Sequence, residues 1–197
     1  MVFADVTCPF AHVGLRRFVA ERDARAVDLL LRVRAWPLER ANNHAESGTE
    51  LAPKVQALRD SVAPELFRGF DADSFPVTSW PALVAEAGAY RDDPVRGERF
   101  SMAVRTALFE DGRDISDANV LSELLGGLTD DLDRDAEERV TADWHDGQAR
   151  GVIGSPHFFI DGDDFFCPSM TIERSGGVLD ISFDKSGFDE FVKRTLD

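Results

Sequence analysis

Phe3-Ala-Asp-Val-Thr-Cys8-Pro9-Phe10-Ala11-His12-Val13-Gly14 combines a predicted strand, a cysteine and a predicted helix start. Residues 2–7 form a short apolar run typical of a buried strand, and residues 9–23 repeat apolar side chains at helical spacing. Pro9 suits the first turn of that helix, where a backbone N–H is not required. The sequence therefore predicts a strand that delivers the Cys8 thiol to a helix N-terminus, where the helix dipole favours a thiolate and lowers the pKa of the thiol.

A second strand is predicted from Val27 to Trp36 and ends at Pro37. Its apolar side chains alternate with arginines, so we expect one face of the strand to be buried. That face consists of Leu29, Leu31, Val33 and Ala35. A strand, a helix and a strand in this order form a βαβ unit with parallel strands and a right-handed crossover.

Helical patterns dominate the middle of the chain after a loop at residues 39–49. Ser79 and Ser116 are predicted as N-caps of the second and fourth helices, and Gly126-Gly127 ends the fourth. The predicted helices contain, in order, residues Leu51–Val62, Trp80–Tyr90, Phe100–Leu108, Val120–Leu125 and Asp133–Arg150.

Strand patterns return near the C-terminal end. Pro156–Ile160 and Phe165–Phe166 flank the turn residues Asp161–Asp164, which predicts a hairpin. Val178–Phe183 indicates one more strand, and the apolar spacing of residues 188–196 predicts a closing helix.

The order of these elements predicts an α/β fold with a helical insertion subdomain, because strands lie at both ends of the chain and helices between them. We expect residues 1–48 and 151–197 to form one discontinuous domain. Residues 49–150 are expected to form the helical insertion.

Composition narrows the possible functions. The chain has 197 residues, 43% of them hydrophobic, and a net charge of −15, which favours one folded domain or one domain with an inserted one. This acidity disfavours nucleic acids and anionic membranes as partners, because both attract basic proteins. With no run of about 18 apolar residues and no basic and apolar leader, the cytoplasm is the expected compartment. Two cysteines are too few for a disulfide scaffold.

Three segments resemble the DsbA/FrnE-like branch of the thioredoxin fold, a group that includes 2-hydroxychromene-2-carboxylate isomerases and kappa-class glutathione transferases. They are Asp5–Gly14, Arg34-Ala-Trp36-Pro37-Leu38-Glu39 and Gly151-Val-Ile-Gly-Ser155-Pro156-His-Phe-Phe-Ile-Asp-Gly162. Together they span nearly the full length of the chain. The resemblance implies a thioredoxin-like fold with a reactive thiol at Cys8.

The resemblance also implies a cis peptide bond between Ser155 and Pro156, facing the reactive thiol. In this fold the backbone before that proline pairs with a bound thiol or peptide substrate. The candidate substrate-binding residues are Pro9, Phe10, His12, Trp36, Ser155, Pro156 and His157.

Three of these candidates have competing interpretations. His12 lies one turn after Cys8 and either acts on its thiol as a neighbouring cation or packs elsewhere. Trp36 ends the second strand at the edge where α/β sheets bind ligands, and core packing is the alternative. His157 follows the expected cis-proline, and its role at the site is left open.

Ala11 is a departure from the family pattern. A dithiol oxidoreductase of this family has Cys-x-x-Cys, and its second cysteine releases the substrate from a mixed disulfide. Because Ala11 stands at that second position, four routes stay open for Cys8. They are a monothiol mechanism resolved by a small thiol, an unusual resolving cysteine, a non-redox use of the site, and loss of catalysis.

Cys167 is the candidate partner of Cys8 and the second candidate catalytic residue. It follows the second strand of the predicted hairpin, in a segment that borders the active-site rim in thioredoxin-like folds. A buried cysteine that packs as a small apolar residue is one alternative. A metal site with Cys8, His12 and His157 is another, although no ligand pair has zinc-type spacing.

The sequence supports three functional hypotheses. The first is a thiol-disulfide oxidoreductase that forms mixed disulfides at Cys8. The second is a thiol-dependent isomerase or transferase resembling 2-hydroxychromene-2-carboxylate isomerase, and the third is a non-catalytic thioredoxin-fold binding protein.

No covalently bound cofactor or metal is expected, and a low-molecular-weight thiol of the glutathione or mycothiol type is the candidate cosubstrate. The expected partner is a thiol or disulfide substrate, either a small molecule or a protein, and a homodimer is left open.

Overall fold

A four-stranded mixed sheet forms the centre of the computed structural model, which describes residues 1–127, 134–176 and 178–197. The strands are β1 (Val2–Ala4), β2 (Val33–Ala35), β3 (His157–Ile160) and β4 (Asp163–Phe166), in the spatial order β2-β1-β3-β4. β1 and β2 are parallel, whereas β3 is antiparallel to both β1 and β4. The predicted βαβ unit and C-terminal hairpin are therefore joined in one sheet.

Helices connect and flank these strands. α1 (Pro9–Ala24) joins β1 to β2, and α8 (Lys185–Leu196) ends the chain. Between β2 and β3 lie α2 (Leu38–Ala41), α3 (Gly48–Ser61), α4 (Trp80–Asp92), α5 (Pro94–Phe109), α6 (Ala118–Leu124) and α7 (Arg134–Arg150). A separate antiparallel pair consists of β5 (Met170–Ser175) and β6 (Val178–Phe183). The α/β fold class is confirmed, while the domain boundaries at residues 48/49 and 150/151 stay a prediction.

The central sheet buries a different aromatic cluster on each face. On one face, Phe158 of β3 packs against Phe18 of α1 and Phe191 of α8, with ring centroids 6.0 and 4.7 Å apart. On the other face, Phe159 packs edge-on against Phe3 of β1 at 5.7 Å. Because successive residues of a strand point to opposite faces, the adjacent pair Phe158 and Phe159 contributes to both cores.

Side chains from the helices between β2 and β3 close the outer edge of β2. Glu98 accepts a hydrogen bond from the amide of Leu31 at 2.6 Å, and the Tyr90 hydroxyl donates to the carbonyl of Leu31 at 2.8 Å. Further along the same edge, Asp143 accepts from the amide of Ala35 at 3.1 Å. An edge strand otherwise presents unpaired amide and carbonyl groups, so these side chains stand where a further strand would pair.

A buried ion pair joins α4 and α5. Arg105 is fully buried, and its Nη1 lies 2.6 Å from Oε1 of Glu86, which is 2% exposed. The same nitrogen donates to the carbonyl and the hydroxyl of Ser101 at 2.8 and 2.7 Å. In the described part of the chain, Nε and Nη2 of Arg105 have no hydrogen-bond partner. The guanidinium group therefore contacts the carboxylate of Glu86 through only one of its three nitrogens, Nη1.

The structure corrects the extent of the first two strands. Each has three residues, instead of the predicted 2–7 and 27–36. β2 is short because its register with β1 pairs only Val33–Ala35 with Val2–Ala4. Leu29 lies before β2 and is 37% exposed, so its predicted place on a buried strand face is wrong.

Two predicted helix caps are also corrected. Ser79 precedes α4, but its side chain does not cap the helix, because its hydroxyl donates to Asp5 at 3.0 Å. Asp117 caps α6 in place of the predicted Ser116, since its carboxylate accepts from the amide two residues later. The hydroxyl of Ser116 donates to Asp114 instead.

Other differences concern whole segments. The predicted loop at residues 39–49 contains most of α2 and the start of α3, and the sequence does not predict β5. The predicted start of the fifth helix at Asp133 lies outside the described residues. Among the helices of residues 1–127, 134–176 and 178–197, none is long and apolar enough to cross a membrane.

Candidate active site

Cys8 lies at the junction of β1 and α1. It is the N-cap of α1, with an extended backbone at φ −80° and ψ 116°, and Pro9 occupies the first turn. The Sγ atom accepts a hydrogen bond from the amide of Ala11 at 3.4 Å, and the Cys8 carbonyl accepts from the amide of His12 at 3.0 Å. The strand, the cysteine and the helix follow one another as predicted.

The loop before β3 faces this cysteine. The peptide bond between Ser155 and Pro156 is cis, and the Ser155 carbonyl accepts a hydrogen bond from the Cys8 thiol at 3.0 Å. The Ser155 hydroxyl oxygen accepts another from the amide of Asp5 at 3.0 Å. The absence of a side chain at Gly14 lets the loop approach α1, since a Cβ there would lie 3.3 Å from Cγ of Pro156. β1, α1 and this loop thus hold the thiol against one carbonyl oxygen.

Cys167 reaches the same carbonyl from β4. Its backbone has a left-handed φ of 45°, and its amide donates to the carbonyl of Pro156 at 3.1 Å. The Sγ atom of Cys167 lies 3.9 Å from the oxygen of Ser155. Cys8 and Cys167 are both free thiols and are 3% and 4% exposed. Both sulfur atoms therefore lie close to the same buried carbonyl oxygen, that of Ser155.

Burial raises the pKa of the Cys8 thiol. The amide of Ala11 opposes this shift by stabilising a thiolate, whereas the nearby charge of Asp5 adds to it. Burial also raises the pKa of Cys167, and the neighbouring Cys8 raises it further. The predicted lowering of the Cys8 pKa is therefore wrong, because loss of hydration outweighs the helix N-terminus. Burial therefore favours the protonated thiol form of both cysteines.

Asp5 ties the cysteine loop to two other elements, and it is not among the predicted site residues. Its buried carboxylate accepts hydrogen bonds from the amide and the hydroxyl of Thr7, both at 2.8 Å. It also accepts from the amide of Leu38 at 2.7 Å and from the hydroxyl of Ser79 at 3.0 Å. Complete burial raises the pKa of Asp5, and these donors oppose the shift. The feature of the sequence that could have identified Asp5 is its position as an acidic residue inside an apolar run, three residues before Cys8.

His12 faces the helices between β2 and β3. Its Nε2 lies 2.7 Å from Oε1 of Glu110, and its ring packs against Phe67 and Phe109 with centroids 5.3 and 4.9 Å apart. Burial lowers the pKa of His12, although Glu110 opposes the shift. A neutral imidazole in these contacts does not act as a cation beside Cys8, so the packing interpretation of His12 is the one that the structure supports.

Trp36 packs in the core on the sheet face that carries Phe3. It is 5% exposed, and its ring centroid lies 4.4 Å from that of Trp144 in α7. Cys8 belongs to the other core cluster, with α1 and α8. The structure does not bring Trp36 and Cys8 together, and core packing accounts for this tryptophan.

His157 lies on the same face as Trp36. Its ring packs against Phe159 with centroids 4.6 Å apart, and its Nε2 lies 2.8 Å from a carboxylate oxygen of Asp164. Its Nδ1 accepts from the amide of Ile153 at 3.3 Å. These contacts fix the start of β3 but do not direct the imidazole toward Cys8.

Pro9 and Phe10 stay next to the thiol because they open α1. Pro9 is buried in the first turn. Phe10 is partly buried and packs against two core clusters, one that contains Phe158 and Phe191 and one formed mainly by the helices between β2 and β3. The metal interpretation is not supported, because the two histidines considered for it are engaged by carboxylates elsewhere. Among residues 1–127, 134–176 and 178–197, no group of three His, Cys, Asp or Glu side chains is placed to hold a metal ion.

A narrow cleft beside the cysteine loop has a cavity volume of about 20 Å³, which is room for about one water molecule. Thr7, the residue before Cys8, lines it together with Glu39 of α2 and Phe75 from the segment before α4. The cleft therefore lies between the sheet and the helices that follow β2.

No family model and no curated protein sequence matches this chain. Solved structures match its fold. The cytosolic disulfide reductase DsbM from Pseudomonas aeruginosa, in a structure with GSH, matches with a TM-score of 0.63 and 19% identity over 83% of this chain and 86% of that chain. A second DsbM structure gives 0.62 and 17% over 98% and 95%.

A structure of 2-hydroxychromene-2-carboxylate isomerase matches with a TM-score of 0.64 and 19% identity, over 84% of this chain and 86% of that chain. At such identities the likeness concerns the fold alone. The strand order, the cysteine at the start of α1 and the cis Ser155–Pro156 bond agree with that likeness. This chain therefore has the DsbA-like thioredoxin fold, which a disulfide reductase and an isomerase both use.

Proposed function

We propose that this protein is a thiol-disulfide oxidoreductase in which Cys8 is the nucleophile and Cys167 the resolving thiol. The observation that carries this proposal is the approach of both sulfur atoms to the Ser155 carbonyl oxygen, at 3.0 and 3.9 Å. A dithiol mechanism needs two cysteines close enough to bond. Ala11 removes the usual second cysteine, and Cys167 supplies a thiol from β4 in its place.

The reaction transfers two electrons from this cysteine pair to a substrate disulfide. The Cys8 thiolate attacks one substrate sulfur, the substrate S–S bond breaks, and the first substrate thiolate leaves. Cys167 then transfers its proton to the released substrate thiolate and attacks the Cys8 sulfur of the mixed disulfide. The second substrate thiolate leaves, and a Cys8–Cys167 disulfide forms.

Regeneration requires an external thiol, for which we propose a low-molecular-weight thiol of the glutathione or mycothiol type. Two such thiols reduce the Cys8–Cys167 disulfide and become one disulfide themselves. The proposed compartment is the cytoplasm, where such thiols are kept reduced. The fold that this chain shares with a cytosolic reductase solved with GSH supports both parts of the proposal.

The raised pKa of Cys8 has a consequence for this chemistry. A protonated thiol is a poor nucleophile, so the resting protein is expected to react slowly at neutral pH and faster as the pH rises. We propose that substrate reaches Cys8 when the cysteine loop opens. The Ala11 amide is then the donor positioned to stabilise the thiolate.

Disulfide mapping tests the pairing directly. The wild type, Cys8→Ser and Cys167→Ser are oxidised with diamide, digested and analysed by mass spectrometry. We expect a Cys8–Cys167 peptide only in the wild type. With oxidised glutathione, we expect a stable mixed disulfide on Cys8 in Cys167→Ser and loss of disulfide turnover in Cys8→Ser. Two free thiols in fully treated, folded wild type would contradict the proposed pairing.

A second candidate function, a thiol-dependent isomerase or transferase, is favoured by one observation. The Cys8 thiol donates a hydrogen bond to the carbonyl of Ser155 at 3.0 Å, and its raised pKa agrees with this role as a donor. A serine hydroxyl can replace such a donor, whereas it cannot replace a thiol nucleophile in disulfide exchange. Turnover of a chromene carboxylate with glutathione that survives Cys8→Ser would favour this function over the oxidoreductase.

A further inference from the structure

A second cleft, with a cavity volume of about 300 Å³, lies at the end of the sheet opposite Cys8. Cys8 follows the carboxyl end of β1, whereas this cleft is built on the amino-terminal end of β2 at residues 32–34. The two strands are parallel, so the two sites lie at opposite ends of the sheet. α4 and α7 contribute the other walls through Tyr90 and Arg139.

Three arginines line this arginine cleft, namely Arg32, Arg34 and Arg139. Arg34 is held at the wall, because its Nε donates to Asp143 at 2.7 Å and its Nη1 pairs with Asp146. The side chains of Arg32 and Arg139 are exposed, and neither guanidinium group forms a hydrogen bond or an ion pair in the part of the chain that the structure describes. The cleft thus contains two guanidinium groups whose donors are available to a ligand.

The charged side chains that line the arginine cleft are mostly basic, although the chain carries a net charge of −15. Asp143 is the one acidic residue among the described residues that line the cleft, and both of its oxygens are engaged, one by Arg34 and one by the amide of Ala35. Burial lowers the pKa of the Met1 amino group in this cleft, and Arg32 lowers it further. The lining charges and their pairing therefore favour an anion in the cleft, and the effect of Arg32 on Met1 agrees with this.

The remaining wall is apolar. Tyr90 and Pro94 line it together with Ala87, and the Tyr90 hydroxyl is already bonded to the carbonyl of Leu31 at 2.8 Å. A pocket of this size that combines apolar walls with a few fixed polar groups suits a small organic ligand. Guanidinium groups bind phosphate and carboxylate oxygens through paired hydrogen bonds.

We propose that the arginine cleft binds a small organic anion that carries phosphate or carboxylate groups. Arg32 and Arg139 are its principal ligands, Arg34 is a fixed cation beside them, and the wall at Tyr90 and Pro94 contacts the organic part. This site is independent of the cysteines, so it does not rest on the proposed oxidoreductase function.

Calorimetric titration tests this site with two probes, phenyl phosphate and benzoate, which share an aromatic body and differ in the anionic group. We compare the wild type with Arg32→Gln/Arg139→Gln. The matched control is Arg59→Gln/Arg68→Gln, which removes the same charge from two exposed arginines on other segments. Thermal unfolding establishes that all three proteins are folded.

We expect at least one probe to bind the wild type with a Kd of about 1 mM or tighter, and the cleft variant to bind it about tenfold or more weakly. Binding should weaken as salt is added. The control variant should bind like the wild type. No binding of either probe by folded wild type, or an equal loss in both variants, would overturn the proposal, because the second result reports only the overall charge.

Discussion

Nε2 of His12 lies 2.7 Å from Oε1 of Glu110, which joins α1 to the C-terminal end of α5. The same carboxylate accepts hydrogen bonds from the amides of Phe67 and Arg68 at 2.9 and 3.3 Å. Burial alone would raise the pKa of Glu110, but the bonds from His12 and the two amides lower it to about 2. One ionised side chain therefore connects α1, α5 and the segment between α3 and α4.

Glu110→Gln is expected to change the pH dependence of stability. Because the pKa of Glu110 is about 2 in the folded state and 4.5 ordinarily, its ionised form stabilises the fold fully above pH 4.5. This contribution is lost as the pH falls toward 2. The free energy of unfolding, measured with urea at several pH values, should differ most between wild type and variant above pH 4.5, and the difference should shrink toward pH 2.

Glu190→Gln serves as the control for this titration, because Glu190 is exposed on α8. We expect its pH profile to follow that of the wild type. A constant difference between wild type and Glu110→Gln across the acidic range would show that Glu110 is not titrating as the structure implies.

Asp5→Ala is expected to destabilise the protein by about 3 kcal/mol or more, since it leaves several buried donors without an acceptor. Asp28→Ala, at an exposed position after α1, should change stability by less than about 0.5 kcal/mol. Urea unfolding measures both. A loss below about 1 kcal/mol for Asp5→Ala would mean that water replaces the carboxylate at Leu38 and Ser79.

The buried pair Arg105 and Glu86 predicts strong coupling in a double-mutant cycle. Arg105→Met or Glu86→Leu alone should cost about 3–5 kcal/mol, because each leaves one charge buried without its partner. The double variant should lose less than the sum of the single variants, since no charge is left behind. Additive losses in urea unfolding would contradict a direct ionic interaction.

Two glycines with positive φ allow backbone strain to be separated from steric clash. Gly126 has φ +74°, and a Cβ there would have no atom of the described residues within 4 Å. Gly112 has φ +65°, and a Cβ there would lie 2.5 Å from the carbonyl oxygen of Gly69. Gly126→Ala should cost about 1 kcal/mol from the left-handed backbone alone. Gly112→Ala should cost clearly more. If the two variants lower the midpoint of urea unfolding equally relative to the wild type, the close approach at Gly69 is contradicted.

The arrangement around Cys8 is predictable from sequence because it is local. An apolar run, a cysteine and Pro9 specify a strand, a cap and a helix start within ten residues. The sequence also locates the long helices α3, α4, α5 and α7. Each of α3, α5 and α7 buries one face, whereas α4 buries every residue from Ala82 to Ala89. The short β2 is not predictable in the same way, because its length depends on how many residues of β1 are available to pair.

The contacts that define the candidate site are not local. The role of Asp5 depends on Leu38 and Ser79, which come to it from later parts of the chain. The direction of the Cys8 pKa depends on how completely other elements cover the thiol, and the helix-start argument does not include that burial. β5 contains polar residues such as Thr171 and Glu173, so its strand character becomes apparent only through pairing with β6.

Side chains bonded along the outer edge of β2 make the two edges of the central sheet different. Glu98 and Tyr90 bond to the backbone of Leu31 just before β2, and Asp143 bonds to the amide of Ala35, so a strand from another molecule would have to displace these side chains. β4 is the terminal strand at the opposite side, with β3 as its neighbour in the sheet. We therefore expect a peptide or a second copy to extend this sheet at β4, whose last residue directly precedes Cys167.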